Sequence, residues 1–118
     1  MDRRVSFRMD KVNAEIQKEL SSFINTELRN PNVDNAVVTV TEVQTSPDFS
    51  LCKVFVSVLN SNLTKEELIK ELTEAAGFLK KRLSEELKLK RTPNLKFIYD
   101  DSLEQGDKIR KLLESIKK

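Results

Sequence analysis

At 118 residues, with 34% charged and 38% hydrophobic side chains, the chain has the size of one domain, 1–118, and the balance of a water-soluble globular fold. It has no histidine and a single cysteine, Cys52, which excludes histidine-based catalysis, an internal disulfide and the usual zinc sites. The net charge is only +2; no apolar run suits a membrane span, Met1-Asp2-Arg3-Arg4-Val5 does not read as a secretory leader, and a reducing cytoplasm is the expected compartment.

Val5, Met9, Val12, Ile16, Leu20, Ile24 and Leu28 recur at spacings of three and four, which predicts an opening amphipathic helix of about six turns. Asn30-Pro31 is its expected stop, because the residue before proline is pushed out of the helical region. The β-branched run Ala36–Val43 reads as a strand with Ala36, Val38 and Val40 on one face and Val37, Thr39, Thr41 and Val43 on the other. Ser46-Pro47-Asp48 signals a turn. Leu51–Leu59 reads as a second strand, Val54, Val56 and Val58 alternating against Lys53, Phe55 and Ser57, and paired antiparallel with the first.

After the polar loop Asn60-Ser61-Asn62, Thr64 and Glu67 have the spacing of a capping box opening a helix. That helix reaches Ala75-Ala76-Gly77, where the glycine predicts a bend or a close backbone approach. A further helix is expected from about Phe78 to Lys90, then a break at Thr92-Pro93-Asn94 and a short strand, Leu95–Tyr99. Asp100-Asp101-Ser102 leads into a final helix with Gly106 near its start and Ile109, Leu112, Leu113 and Ile116 along one side. Helices segregated beside a small sheet make an α+β domain.

Charge is unevenly placed. From Phe78 to Tyr99 there are 7 Lys and Arg against 2 Asp and Glu, whereas Thr64–Glu74 carries 2 against 4. On a helical wheel of about 100° per residue, Lys80, Lys81, Lys88 and Arg91 fall on one stripe, clear of Glu85 and Glu86. Such a stripe can track phosphates, with the positive end of the helix dipole at the bend adding to it. It can equally be a solubilising face, and the glycine can serve packing alone; the residues by themselves leave both open.

Other chemistry is thin. Asp100-Asp101 lacks further acidic partners for a metal and is expected to cap the last helix. Cys52 reads as core, and Ser46, Ser50 and Ser57 have no histidine to activate them; Tyr99 and the phenylalanines have rings that can stack bases, yet Phe55 and Phe97 are expected beneath helices. No Gly-rich phosphate loop is present. No catalytic residue and no metal or cofactor is expected.

One ordered set of residues goes further. It comprises Arg8-Met9-Asp10-Lys11-Val12 with Ile16 and Glu19-Leu20, Val38-Thr39-Val40-Thr41-Glu42-Val43, Ser46-Pro47-Asp48-Phe49-Ser50 and Lys53-Val54-Phe55-Val56-Ser57-Val58. Ala75-Ala76-Gly77-Phe78-Leu79-Lys80-Lys81-Arg82-Leu83 follows, then Leu87-Lys88-Leu89-Lys90-Arg91-Thr92-Pro93-Asn94-Leu95-Lys96-Phe97, and finally Asp100, Ser102-Leu103-Glu104, Gly106, Ile109 and Leu112-Leu113. Together they resemble the ribosome-binding factor A family over nearly the whole length.

The resemblance implies a type II KH-like fold: a three-stranded sheet backed by helices, with an Ala-x-Gly helix-kink-helix (Ala75, Ala76, Gly77) in place of the GxxG loop that clamps nucleic acid in ordinary KH domains. It implies a non-enzymatic, monomeric assembly factor that binds the immature small (30S) ribosomal subunit and its rRNA. Such factors assist late maturation and 16S precursor processing, matter most in the cold, and use no membrane or small-molecule substrate. Lys80, Lys81, Lys88 and Arg91 are then the expected phosphate contacts, with Arg82, Lys96 and the N-terminal Arg3, Arg4 and Arg8 in support, and Gly77 setting the angle that aims them. Asn30-Pro31-Asn32 departs from the charged residues that many relatives carry around this proline, and the short C-terminus Lys117-Lys118 from the basic tail of some. The rival reading is a protein-interaction adaptor using the sheet face or the acidic helix with Glu66, Glu67, Glu71 and Glu74.

Overall fold

The opening apolar stripe becomes α1, Arg3–Thr26, with Ile16, Leu20, Phe23 and Ile24 buried and Val12 packed at their margin. The computed structural model describes residues 3–28, 37–59, 63–89 and 91–102. The Asn30-Pro31 stop, Ala36, the Asn60-Ser61-Asn62 loop, Lys90 and the final helix with Gly106, Ile109, Leu112, Leu113 and Ile116 lie outside these residues. α1 ends before the proline, its last turn closing with the Glu27 and Leu28 N–H groups both donating to the Phe23 carbonyl at 2.8 and 3.2 Å.

β1 (Val37–Thr45) and β2 (Leu51–Leu59) pair antiparallel, and β3 (Asn94–Tyr99) joins β2 parallel, giving a three-stranded mixed sheet in the order β1-β2-β3. One face carries Val38, Val40, Val43, Cys52, Val54, Val56 and Phe97 into the core against α1, α2 (Lys65–Glu74) and α3 (Ala76–Leu87). The fold is thus α+β, a sheet backed by helices.

Strict alternation would place Val43 opposite Val38, yet it is buried with it. The register shifts between Val40 and Glu42. An extra residue in a β-bulge returns every later side chain to the other face, so Val43 and Thr45 point into the core. Phe55 is also not beneath a helix. It lies between the buried Val54 and Val56 and pairs with Glu42 and Ile98, on the face away from the core.

The turn signal is realised as a tight hydrogen-bonded loop. The Asp48 carboxylate accepts from the Ser46 and Ser50 hydroxyls and the Ser50 N–H at 2.8, 2.7 and 3.1 Å, while Phe49 takes a left-handed φ of 59°. These donors hold the Asp48 carboxyl down at about 2, the Ser50 hydroxyl contributing most. Thr64 caps α2, its hydroxyl accepting from the Glu67 N–H at 3.1 Å. The Asp100 carboxylate accepts from the Ser102 N–H at 2.9 Å and from the Thr41 hydroxyl at 2.6 Å; the helix it is expected to cap lies outside the described residues. Cys52 is fully buried, and burial pushes its thiol up.

Candidate nucleic-acid interface

The elbow between α2 and α3 sits at Ala75, which has φ −87° and ψ 0° and serves as C-cap of one helix and N-cap of the next. Gly77 is one residue inside α3, so the bend precedes it. A Cβ placed on Gly77 would meet nothing within 4 Å, and its φ is not positive. Neither backbone strain nor internal packing therefore requires glycine here. Gly77 and the adjoining Phe78 are both exposed, and α3 begins with no side-chain cap and no acidic residue in its first turn. The result is a smooth, uncapped helix N-terminus open to the outside.

Leu79 and Leu83 are completely buried and fix the roll of α3. The cations around it are then sorted. The Lys80 ammonium reaches the first residue of β3, donating to Asn94 Oδ1 at 2.9 Å. Lys81 is exposed on the next face. The helix stops at Leu87, and Lys88 takes a left-handed φ of 50° as C-cap, so Lys88 and Arg91 leave the helical wheel on which the sequence placed them. Arg91 instead lies near enough to the β1–β2 turn to help lower the Asp48 carboxyl.

Arg82 faces the other way. Its guanidinium meets Glu27 of α1 at 3.1 Å and Glu85 and Glu86 of its own helix at 3.1 and 3.5 Å, and lies 4.7 Å over the Phe23 ring. The hydrogen bond to Glu27, with the neighbouring carboxylates, pushes its proton affinity further up. One arginine thereby collects both acidic residues of α3. Among the described residues, no carboxylate pairs with Lys80, Lys81, Lys88, Arg91 or Lys96.

The expected site residues thus divide. Lys80, Arg91 and Asn94 gather where α3, the β1–β2 turn and the start of β3 meet. Lys81 and Lys88 extend the positive surface along and beyond α3, and Arg82 is spent on α1. Lys96 stands exposed on the sheet face away from the core, directly beside Lys53 in register. Lys53 joins the expected residues here; its alternation with the buried Val54 is the signal in the sequence that turns it outward. Arg8 is exposed on α1; the side chains of Arg3 and Arg4 lie outside the described residues. No group of acidic, cysteine or histidine side chains among the described residues could hold a metal ion, and no described helix is long and apolar enough to cross a membrane.

Comparison with known proteins gives the chain a family. The family model for ribosome-binding factor A matches residues 8–113. The ribosome-binding factor A of Macrococcus caseolyticus is 37% identical over 112 residues, covering 95% of this chain and 96% of the relative. The solution structure of a Thermotoga maritima ribosome-binding factor A superimposes with a TM-score of 0.67 at 29% identity, over 79% of this chain and 87% of that one. A Thermus thermophilus ribosome-binding factor A, fitted as a homology model into a cryo-EM map of a 30S–RbfA complex, gives 0.62 at 25% identity over 75% and 91%. The chain belongs to the ribosome-binding factor A family.

Proposed function

We propose that this protein binds the small ribosomal subunit through its rRNA in the cytoplasm and assists late subunit maturation and precursor processing, without catalysis of its own. One observation carries the reading: charge is sorted around α3, Arg82 drawing Glu27, Glu85 and Glu86 to the α1 side while, among the described residues, Lys80, Lys81, Lys88 and Arg91 form no ion pair, Asp48 acting on Arg91 only from a distance. Long cationic donors on one side of a domain, not neutralised by a carboxylate in contact, suit a phosphate backbone. The 30S complex of the Thermus relative supports the choice of partner.

In this reading the fold is a type II KH-like domain whose Ala75–Gly77 elbow stands where a GxxG loop would clamp a backbone. The open surface at Gly77 and the uncapped N-terminus of α3 then let an RNA backbone approach closely. Gly77 is a flat landing place rather than the hinge itself.

The test is co-sedimentation with precursor 30S subunits of a variant carrying Lys80→Glu, Lys81→Glu and Lys88→Glu. All three residues are outside the buried core, so the domain should keep its circular dichroism spectrum while subunit binding falls by about tenfold or more at moderate salt. Unchanged co-sedimentation of the folded variant would remove the phosphate role.

A further inference from the structure

The sheet face turned away from the core carries a second basic feature. Across β2 and β3, Lys53 and Lys96 are register partners, both exposed, their strands about 4.8 Å apart. Like charges placed directly opposite in a sheet destabilise it. Among the described residues no carboxylate or other hydrogen-bond partner relieves either lysine. Gln44, exposed, stands beside Lys53 in the same row.

The neighbouring rows give the pair a context. One step toward the start of β3 lies Asn94, the residue that receives the Lys80 ammonium. The lysines are therefore continuous with the α3 surface around the beginning of β3. One step the other way lie Phe55 and Ile98, register partners and both half-buried, with the exposed Glu42 beyond Phe55 on β1. Further along, Asp100 adds a second carboxylate, held by Thr41 and Ser102, whose hydrogen bonds keep it below the usual carboxylate range, the Thr41 hydroxyl most of all.

We propose that this face binds single-stranded RNA: a phosphate held between Lys53 and Lys96, and the adjoining base against Phe55 and Ile98. A cationic groove beside a π-face is how sequence-tolerant single-strand binding is built, the cations tracking the backbone and the aromatic ring stacking a base. An acidic peptide would use the two lysines but has no need of the ring two residues further along β2. The strand enters from the Lys80–Asn94 corner, and the Glu42 and Asp100 carboxylates mark where it must leave the sheet. The proposal extends the RNA-binding reading of α3 to a second surface.

The experiment measures fluorescence anisotropy of a labelled oligouridine titrated with the full-length protein, alongside 30S co-sedimentation. Variants are Lys53→Glu with Lys96→Glu, Lys80→Glu with Lys81→Glu, and Phe55→Leu. The sheet pair is expected to weaken oligonucleotide binding about tenfold and to lower the salt slope by about 1.4, two contacts at about 0.7 each. Phe55→Leu keeps an apolar side chain on the sheet and should cost at least about fivefold through lost stacking, whereas Phe55→Tyr should not. Lys53→Glu alone provides a folding control, since it sets a carboxylate beside Lys96 and should leave Tm level or higher.

Loss of oligonucleotide binding in the α3 variant alone would overturn the sheet site and leave the α3 reading standing. Loss in the sheet variant alone would do the reverse. Oligonucleotide binding untouched by the sheet variant while 30S co-sedimentation falls would reassign the face to a ribosomal protein and overturn the proposal.

Discussion

Arg82 illustrates how much a single side chain organises here. A planar guanidinium can serve several carboxylates and an aromatic face at once, which a lysine ammonium does poorly. At this position it joins α1 to α3 and takes the acidic residues of α3 out of the basic surface. Arg82→Lys should therefore lower Tm by a few degrees in a thermal melt, with Arg82→Gln lower still. Its RNA affinity at low salt should fall less in Arg82→Lys than in Lys81→Glu, because position 82 acts through the carboxylates it holds; the reverse order would make Arg82 a direct contact. Asp48 sets a second residue-scale expectation. Its folded-state pKa of about 2 lies below the ordinary 3.8, so the turn is stabilised above about pH 4 and that contribution is lost as pH falls through about 2. Asp100, also lowered, acts in the same direction. Tm followed against pH should decline on acidification across this window, and Asp48→Asn should flatten the decline while lowering the neutral-pH plateau. An equally steep decline in the variant would place the acid sensitivity elsewhere.

At the scale of elements, α1 does more than cover the sheet. Asn25 donates to the Val38 carbonyl at 2.8 Å and accepts from the Val38 N–H at 3.0 Å, and Gln17 donates to the Val40 carbonyl at 2.8 Å. These are the outward-facing backbone groups of an edge strand, the usual template for unwanted strand pairing. Asn25→Ala should cost about 1–2 kcal/mol for two lost bonds, read by urea denaturation, and should raise light scattering on warming; a stable, non-aggregating variant would show that α1 merely lies alongside. The elements themselves were legible because α1, β1, β2 and the α2–α3 pair each carry a clear period and a stop signal. What escaped has physical reasons. A bulge leaves no mark in an unbroken β-branched run, so alternation alone puts Val43 on the wrong face, and the size of Phe55 points to the core that its register denies it. A helical wheel extended past Leu87 could not foresee the left-handed Lys88 that takes Arg91 off it. The glycine signalled the elbow correctly to within two residues but misled about which residue bends. Gly77→Ala separates the roles: adding a methyl group in open space should stabilise the helix by up to about 1 kcal/mol while weakening 30S co-sedimentation. Unaltered binding in the stabilised protein would return position 77 to a neutral surface.

Across the whole molecule, charge is divided between sides rather than accumulated. The carboxylates of α2 (Glu66, Glu67 and Glu74) are exposed on one element, while the cations that form no ion pair among the described residues sit on and just beyond α3 and on the outer sheet face. With a net charge of only +2, long-range attraction is weak, and affinity must come from local contacts that displace counterions. This sets a quantitative expectation. If Lys80, Lys81, Lys88 and Arg91 each neutralise one phosphate of a single strand, the logarithm of affinity should fall against the logarithm of salt with a slope of about −2.8. Lys53 and Lys96 would steepen it to about −4.2. Substituting Gln for any one of the six should reduce the slope by about 0.7, and for Arg82 by much less. A slope near −1 for the parent protein would mean that binding rests on shape and apolar contact, and that the division of charges across α3 serves folding and solubility alone.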